Sequence, residues 1–212
     1  MERRVVITGL GAVTPVGLTA PDTWAALKAG ACGVGPITQF DTEGYKVTVA
    51  AEVKGFDPVE RGLSKQEAKR NDLATQYVLV ASDEAVADAG LVIEGSQAAT
   101  AAPEGEEPPA ANIAAERVGT YVGSGIGGFH TNVEQIITCH EKGPRKVSPF
   151  MIPMMIANMP CGAVSIRHNA QGPSLPIVTA CATSAHEVGE AFRAVKAGHC
   201  DAAIVGGTEA AI

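Results

Sequence analysis

The chain has 212 residues, of which 46% are hydrophobic, 18% charged and only 4% aromatic, with a formal charge of −7. That length suffices for a full core in one or two domains, and the acidic balance weighs against nucleic acid, which is bound through clustered Lys and Arg. Membrane insertion is likewise unsupported, because the most apolar stretch, SPFMIPMMIANMPCGAV, is broken by Pro153, Asn158 and Pro160. The opening MERRVVITGL has too short an apolar run for a signal peptide. Five cysteines (32, 139, 161, 181 and 200) make an odd count with no C-x-x-C spacing, which predicts reduced thiols in a cytoplasmic protein rather than disulfides or zinc.

In chain order, residues 3–9 (RRVVITG) form a β-branched run that predicts a strand. Residues 22–30 (DTWAALKAG) have helical spacing with Gly30 as stop, and 45–53 (YKVTVAAEV) are again strand-like. SKQE at 64–67 matches a capping box, with Ser64 as N-cap and Glu67 three positions on. An amphipathic pattern behind it runs through Leu73, Tyr77, Val80 and Ala81 to Gly90. Residues 94–112 are rich in Ala, Pro, Glu and Gly and lack apolar periodicity, which predicts an acidic, disordered surface loop within the domain. Residues 116–123 (ERVGTYVG) and 174–180 (SLPIVTA) read as buried strands. Residues 182–198 predict a helix with Ala185, Val188, Gly189, Phe192 and Val195 on its apolar face and Gly198 as stop; 201–207 (DAAIVGG) predict a last strand. Strands alternating with helices imply an α/β layered fold around a covered, mostly parallel sheet.

GSGIGG at 123–128 follows a strand and precedes a helical pattern, as a dinucleotide-binding turn does. The acidic partner about 20 positions on is missing, because Glu141 falls in helix-like sequence, so glycines serving a tight turn and close backbone approach are the better reading. Four of the five methionines (151, 154, 155 and 159) fall in FMIPMMIANM, which reads as a core or interface helix and also suits a pocket for flexible chains. His186 lies five residues after Cys181, which on a helix turns it about 140° away and speaks against a direct pair.

Cys181 stands where the apolar run PIVTA hands over to helix-forming residues. A thiol there is either buried filler, a common fate of free cysteine, or a nucleophile. Unpaired amides and the dipole at a helix N-terminus favour thiolate, lowering the pKa from about 8.5, and the same amides suit an oxyanion. Chemistry alone leaves both readings open.

Four motifs in order, VVITGLGAVTPVG, GSGIGG, GPRKVSPFMIPMMIANM and TACATSAHEVG, resemble the β-ketoacyl-acyl-carrier-protein synthases, and within them the elongating ketosynthase II type of bacterial fatty-acid synthesis. The resemblance covers essentially the whole chain apart from 94–112. It implies a thiolase-like fold, in which two similar halves form an α-β-α-β-α sandwich, with residues 1–212 as one α-β-α half. It also implies a homodimer, an acyl carrier protein as partner, and no metal or cofactor. By this resemblance Cys181 accepts the acyl chain, Ile126 lies at the bottom of the acyl pocket, and Met151 reaches the partner subunit's pocket. Lys65, Lys69 and Arg70 match a cluster that meets the acidic carrier protein. The two histidines and the lysine of the decarboxylation step belong to a C-terminal half absent from this sequence, so the expectation is an N-terminal half that does not condense substrates alone. A polyketide-type ketosynthase and a non-catalytic, chain-length-factor-like partner are the rival readings; Cys181 speaks against the second.

Overall fold

The computed structural model describes residues 3–100 and 107–212. The first half carries α1 (Ala20–Lys28), a small antiparallel pair β1 (Gly35–Pro36) and β2 (Val49–Ala50), then α2 (Lys65–Arg70), α3 (Leu73–Asp88) and the single turn α4 (Gln97–Thr100). The second half carries β3 (Val118–Gly123), α5 (Phe129–Lys142), α6 (Met151–Met155), α7 (Met159–His168), α8 (Thr183–Ala197) and β4 (Ala202–Gly207).

The centre is β3, buried at all six positions and paired in parallel with β4 from Val118–Ala202 to Gly123–Gly207. Alternation along β3 decides what each face meets. Val118 and Val122 pack with Val78 and Leu79 of α3, Cys161 and Val164 of α7, and Ile204. Tyr121, on the opposite face, packs with Ala191 and Ala194 of α8 and with Cys200. Helices therefore cover both faces of a parallel pair, an α-β-α arrangement as expected.

Several strands and helices differ from expectation, each for a local reason. Residues 3–9 form no strand: Val6 and Ile7 are exposed, and the amides that follow are taken by carboxylates of α3 instead of a neighbouring strand. The amide of Leu10 donates to Asp88, and those of Ala12 and Ala20 donate to Glu84. Gly9 and Gly11 allow this, since a Cβ on either would lie 2.2 Å from the Ala85 carbonyl or 1.9 Å from that of Ala81. Of 45–53 only Val49–Ala50 is a strand, with the buried Glu52 turned back to accept from the amides of Thr38 and Gln39.

The pattern from Ser64 to Gly90 is two helices. The Ser64–Glu67 capping box opens α2 as expected, but Asn71 is extended and Asp72 caps a second start at α3. Residues 174–180 likewise do not extend the sheet, for the ladder with β3 ends at a bridge between Thr120 and Ser174. On α8 the buried stripe is Thr183, Glu187, Ala191 and Ala194, whereas Val188 and Phe192 of the expected apolar face are exposed. Gly198, at φ +84°, stops the helix as expected. The expected loop at 94–112 is structured where described at its start: Ser96 is buried, α4 follows it, and Ile93 bridges Ile113. Residues 101–106 of that segment lie outside the described residues.

Candidate active site

Cys181 sits in a 3-10 turn, Ala180–Ala182, that leads directly into α8. The thiol is exposed, so it is not core filler. Ala180 takes φ +50°, one of two positive-φ residues outside glycine among the described residues. Such a conformation costs an L residue about 1–2 kcal/mol and persists only where its surroundings over-determine it. Here they do. Ahead of the turn, the Thr179 amide donates to Thr183 Oγ1 at 2.9 Å, and Thr179 Oγ1 meets His186 Nδ1 at 2.7 Å. His186 therefore partners Thr179, in keeping with its rotation away from Cys181. Ala182, the N-cap of α8, brings no side-chain cap, so no side chain competes for the positive end of this helix.

The glycine loop after β3 lies against this turn. A Cβ on Gly125 would stand 3.3 Å from Ala180 Cα, and one on Gly123 only 2.3 Å from the Ile177 carbonyl oxygen. The glycines serve close backbone approach, as expected of a tight turn. Ile126 rises from this loop half-exposed. Past it, the Gly128 amide donates to the Met155 carbonyl at 3.0 Å, and a Cβ on Gly128 would be 2.1 Å from that of Met154. The loop thus seats directly on α6, whose first residue is the half-buried Met151. The methionine-rich stretch is two short helices, α6 and the start of α7, rather than one.

Two carboxylates absent from the sequence-based expectations hold the loop in place. Glu209, just beyond β4, accepts from the Ser124 hydroxyl at 3.0 Å and the Gly125 amide at 2.9 Å, while Ser124 Oγ accepts the Gly127 amide at 2.8 Å. Asp72 is buried and accepts from the amide of Ala74 and from both the amide and hydroxyl of Thr131. It joins the start of α3 to the start of α5. The only sequence signal for either was an acid beside an element boundary.

Lys65, Lys69 and Arg70 are exposed on α2. The Arg70 guanidinium stands 4.8 Å from the ring centre of Phe150, the residue capping α6, a cation–π contact. The structure therefore brings the basic helix, α6, the Ile126 loop and the Cys181 turn into one continuous chain of contacts.

Two cavities open away from the Cys181 turn. One of about 450 Å³ is lined by Asp83, Val86, Leu91, Ile93, Arg167 and His168. There Arg167 makes a bidentate pair with Asp83 at 2.6 Å and reaches Glu67 at 2.7 Å, and burial holds the His168 imidazole below its usual pKa. The other, about 330 Å³, lies between residues 11–15, Tyr77 and Gly207–Glu209. Among the described residues no group of three His, Cys, Asp or Glu side chains is gathered to hold a metal, and no helix is long and apolar enough to cross a membrane.

The chain is 44% identical over 211 residues to a 3-oxoacyl-[acyl-carrier-protein] synthase 2 of Staphylococcus aureus (strain N315), covering all of this chain and 47% of that protein. It is 43% identical over 211 residues to the enzyme of the same name from Synechocystis sp., covering 46% of it. The chain thus spans about half the length of the curated relatives it matches. Among solved structures, the ishigamide ketosynthase/chain length factor superposes with a TM-score of 0.80 at 27% identity, over 99% of this chain and 48% of that one. A β-ketoacyl synthase from Burkholderia phymatum STM815 does so with 0.71 at 26%, over 94% and 45%. The family described as "Beta-ketoacyl synthase, N-terminal domain" matches residues 2–212, and the chain, with its thiolase-like α/β fold, belongs to that family.

Proposed function

We propose that the chain supplies the nucleophile half of a 3-oxoacyl-acyl-carrier-protein synthase of fatty-acid elongation. One observation carries the reading: an exposed Cys181, held in a strained turn at the N-terminus of α8, stands against the glycine loop that bears Ile126. The thiolate of Cys181 attacks the carbonyl carbon of an acyl thioester on the carrier protein. The carbonyl oxygen takes the charge and is met by amides at the start of α8. The C–S bond to the carrier then breaks, the carrier leaves as a thiol after taking up a proton, and the acyl group rests on Cys181. In the second half-reaction malonyl-carrier protein loses carbon dioxide, its C2 carbanion attacks the acyl-enzyme carbonyl, and the Cys181 thiolate departs as 3-oxoacyl-carrier protein forms. Donors for that decarboxylation belong, on this reading, to the part of the relatives' length that this chain does not span.

Ile126 closes the far end of the acyl site, Met151 extends toward the pocket of a second copy in a homodimer, and Lys65, Lys69 and Arg70 receive the acidic carrier protein. Carrier-bound chains place the work in the cytoplasm, and the chemistry calls for no metal or cofactor. The exposed thiol favours a catalytic subunit over a chain-length-factor-like partner.

The test is mass spectrometry of the protein after incubation with hexanoyl- and palmitoyl-carrier protein. An acyl adduct on the Cys181 peptide, absent from Cys181→Ala, is expected. Labelling of another residue, or none, overturns the assignment. Replacing Lys65 and Lys69 by Glu is expected to slow acylation from carrier-bound donors about tenfold at limiting carrier while sparing a small thioester, since both charges lie in solvent.

A further inference from the structure

We propose that Glu187 is a positioning residue for Cys181: its carboxyl clamps the segment ahead of the nucleophile onto α8, doing there what a strand ladder does elsewhere in the sheet. The inference rests on the reading of Cys181 as the nucleophile.

The segment leading to Cys181 begins at an isolated bridge to β3, between Ser174 and Thr120. The Thr120 amide donates to the Pro173 carbonyl at 2.8 Å and the Leu175 amide to the Thr120 carbonyl at 3.0 Å. Beyond Leu175 the segment is tied to side chains of α8. The Ile177 amide donates to Glu187 Oε1 at 2.6 Å, the Thr179 amide donates to Thr183 Oγ1, and the Thr179 hydroxyl meets His186. Thr183, His186 and Glu187 are spaced three and four apart, so they form one stripe of the helix facing the segment. Glu187 is the innermost of the three and wholly buried, with 0% of its surface exposed.

A carboxyl in this position is an expensive choice for core filler. Its Oε1 is engaged by Ile177, while Oε2 is buried with no hydrogen-bond partner. Gly123 is shaped around it: a Cβ there would come within 2.9 Å of Oε1 and 2.3 Å of the Ile177 carbonyl. The strand, the segment and the carboxyl are thus packed as a unit four residues before Cys181. Glu190 on its own helix, Tyr121 from β3 and Cys161 from α7 interact with Glu187 electrostatically, and none of the three is a cation; His186, beside it on the stripe, is turned to Thr179. Burial pushes the carboxyl above its usual range, the Ile177 amide opposes this, and Glu190 adds to the rise. The acceptor function needs only the carbonyl oxygen of a neutral acid, so an amide in its place performs the same task.

The experiment compares wild type, Glu187→Gln and Glu187→Leu by amide exchange at Ile177 and by iodoacetamide alkylation at Cys181, read by peptide mass spectrometry from pH 6 to 9. Glu187→Gln is expected to keep the Ile177 amide protected within about threefold of wild type and to leave Cys181 alkylation unchanged. Glu187→Leu, close in size and without an acceptor, is expected to speed Ile177 exchange and change Cys181 alkylation, each at least tenfold. Equal behaviour of Leu and wild type overturns the clamp, as does a Gln variant as perturbed as Leu. Where Leu does not fold, Thr183→Val with Glu187→Gln replaces it: Glu187 as the main clamp predicts protection at Ile177 in that pair, and its loss overturns the proposal. If wild-type Cys181 accepts no acyl group from thioesters, the proposed function fails, while Ile177 exchange still decides the clamp.

Discussion

Two segments cross from the centre of the sheet to a helix, and they do so by opposite means. The first leaves β3 at Gly123, passes through residues 124–128 and enters α5; its strand is fully laddered to β4, and glycines carry the turn. The second leaves the bridge at Ser174, passes through Cys181 and enters α8; its ladder stops early, and side chains of the helix it enters hold it. The first crossing is backbone fitted against backbone, which suits the fixed floor that the proposed function gives it. The second is a strained turn, with Ala180 at φ +50°, held from one side and open at the thiol. A nucleophile requires that combination: fixed position and an unobstructed face.

Perturbing where the crossings touch tests this contrast most severely. Gly123→Ala sets a Cβ 2.3 Å from the Ile177 carbonyl and 2.4 Å from Thr183 Cγ2. Since the obstacles are backbone and a buried residue, the loss is expected to exceed about 3 kcal/mol, read as a collapse of the thermal unfolding midpoint or of soluble yield. An unchanged midpoint would show that the two crossings do not pack as a unit. Next comes the floor alone. Asp72→Ala leaves the Thr131 amide and hydroxyl and the α3 cap without their acceptor, at an expected cost of about 2–4 kcal/mol. Asp72→Asn is expected to lose less than half of that in a denaturant titration.

Ile126→Phe sharpens the comparison at the level of activity. Added bulk on the glycine loop is expected to slow acylation of Cys181 by palmitoyl donors about tenfold while sparing hexanoyl donors. Equal slowing of both would make Ile126 a packing residue only.

The clamp also predicts a pH dependence. Because the folded-state pKa of Glu187 is raised, the folded protein holds a proton that the unfolded chain releases near pH 4.5. Stability from this group is full below that value and is lost as pH rises through the folded pKa. Glu187→Gln should lack this decline, seen as a flatter denaturant midpoint between pH 4.5 and 8; parallel slopes would show that Glu187 does not titrate there. The smallest effect is expected from Gly189→Ala on α8, where an added Cβ meets nothing within 4 Å. It should stabilise by about 0.5–1 kcal/mol, the usual helix preference of Ala over Gly, and leave Cys181 alkylation untouched.

The sequence by itself determined the features set by neighbours in the chain. The Ser64–Glu67 capping box, the stop at Gly198 and the turn at Cys181 each depend on contacts within a few residues, and each was legible; the strand at β3 was legible from its own apolar run, although its partner β4 lies far along the chain. The family too was legible, because its motifs are contiguous. Tertiary structure decided what depends on partners far along the chain. Residues 3–9 have strand composition but meet α3, whose Glu84 and Asp88 take the amides beyond them. The helix at Cys181 turned its expected apolar face, Val188 and Phe192, outward, since the buried stripe is chosen by what lies beneath it: the segment ahead of Cys181 needs acceptors, and Thr183 and Glu187 supply them. Hydrophobic periodicity counts apolar side chains, and it cannot register a buried carboxyl whose reason for burial is an amide brought against it by the fold.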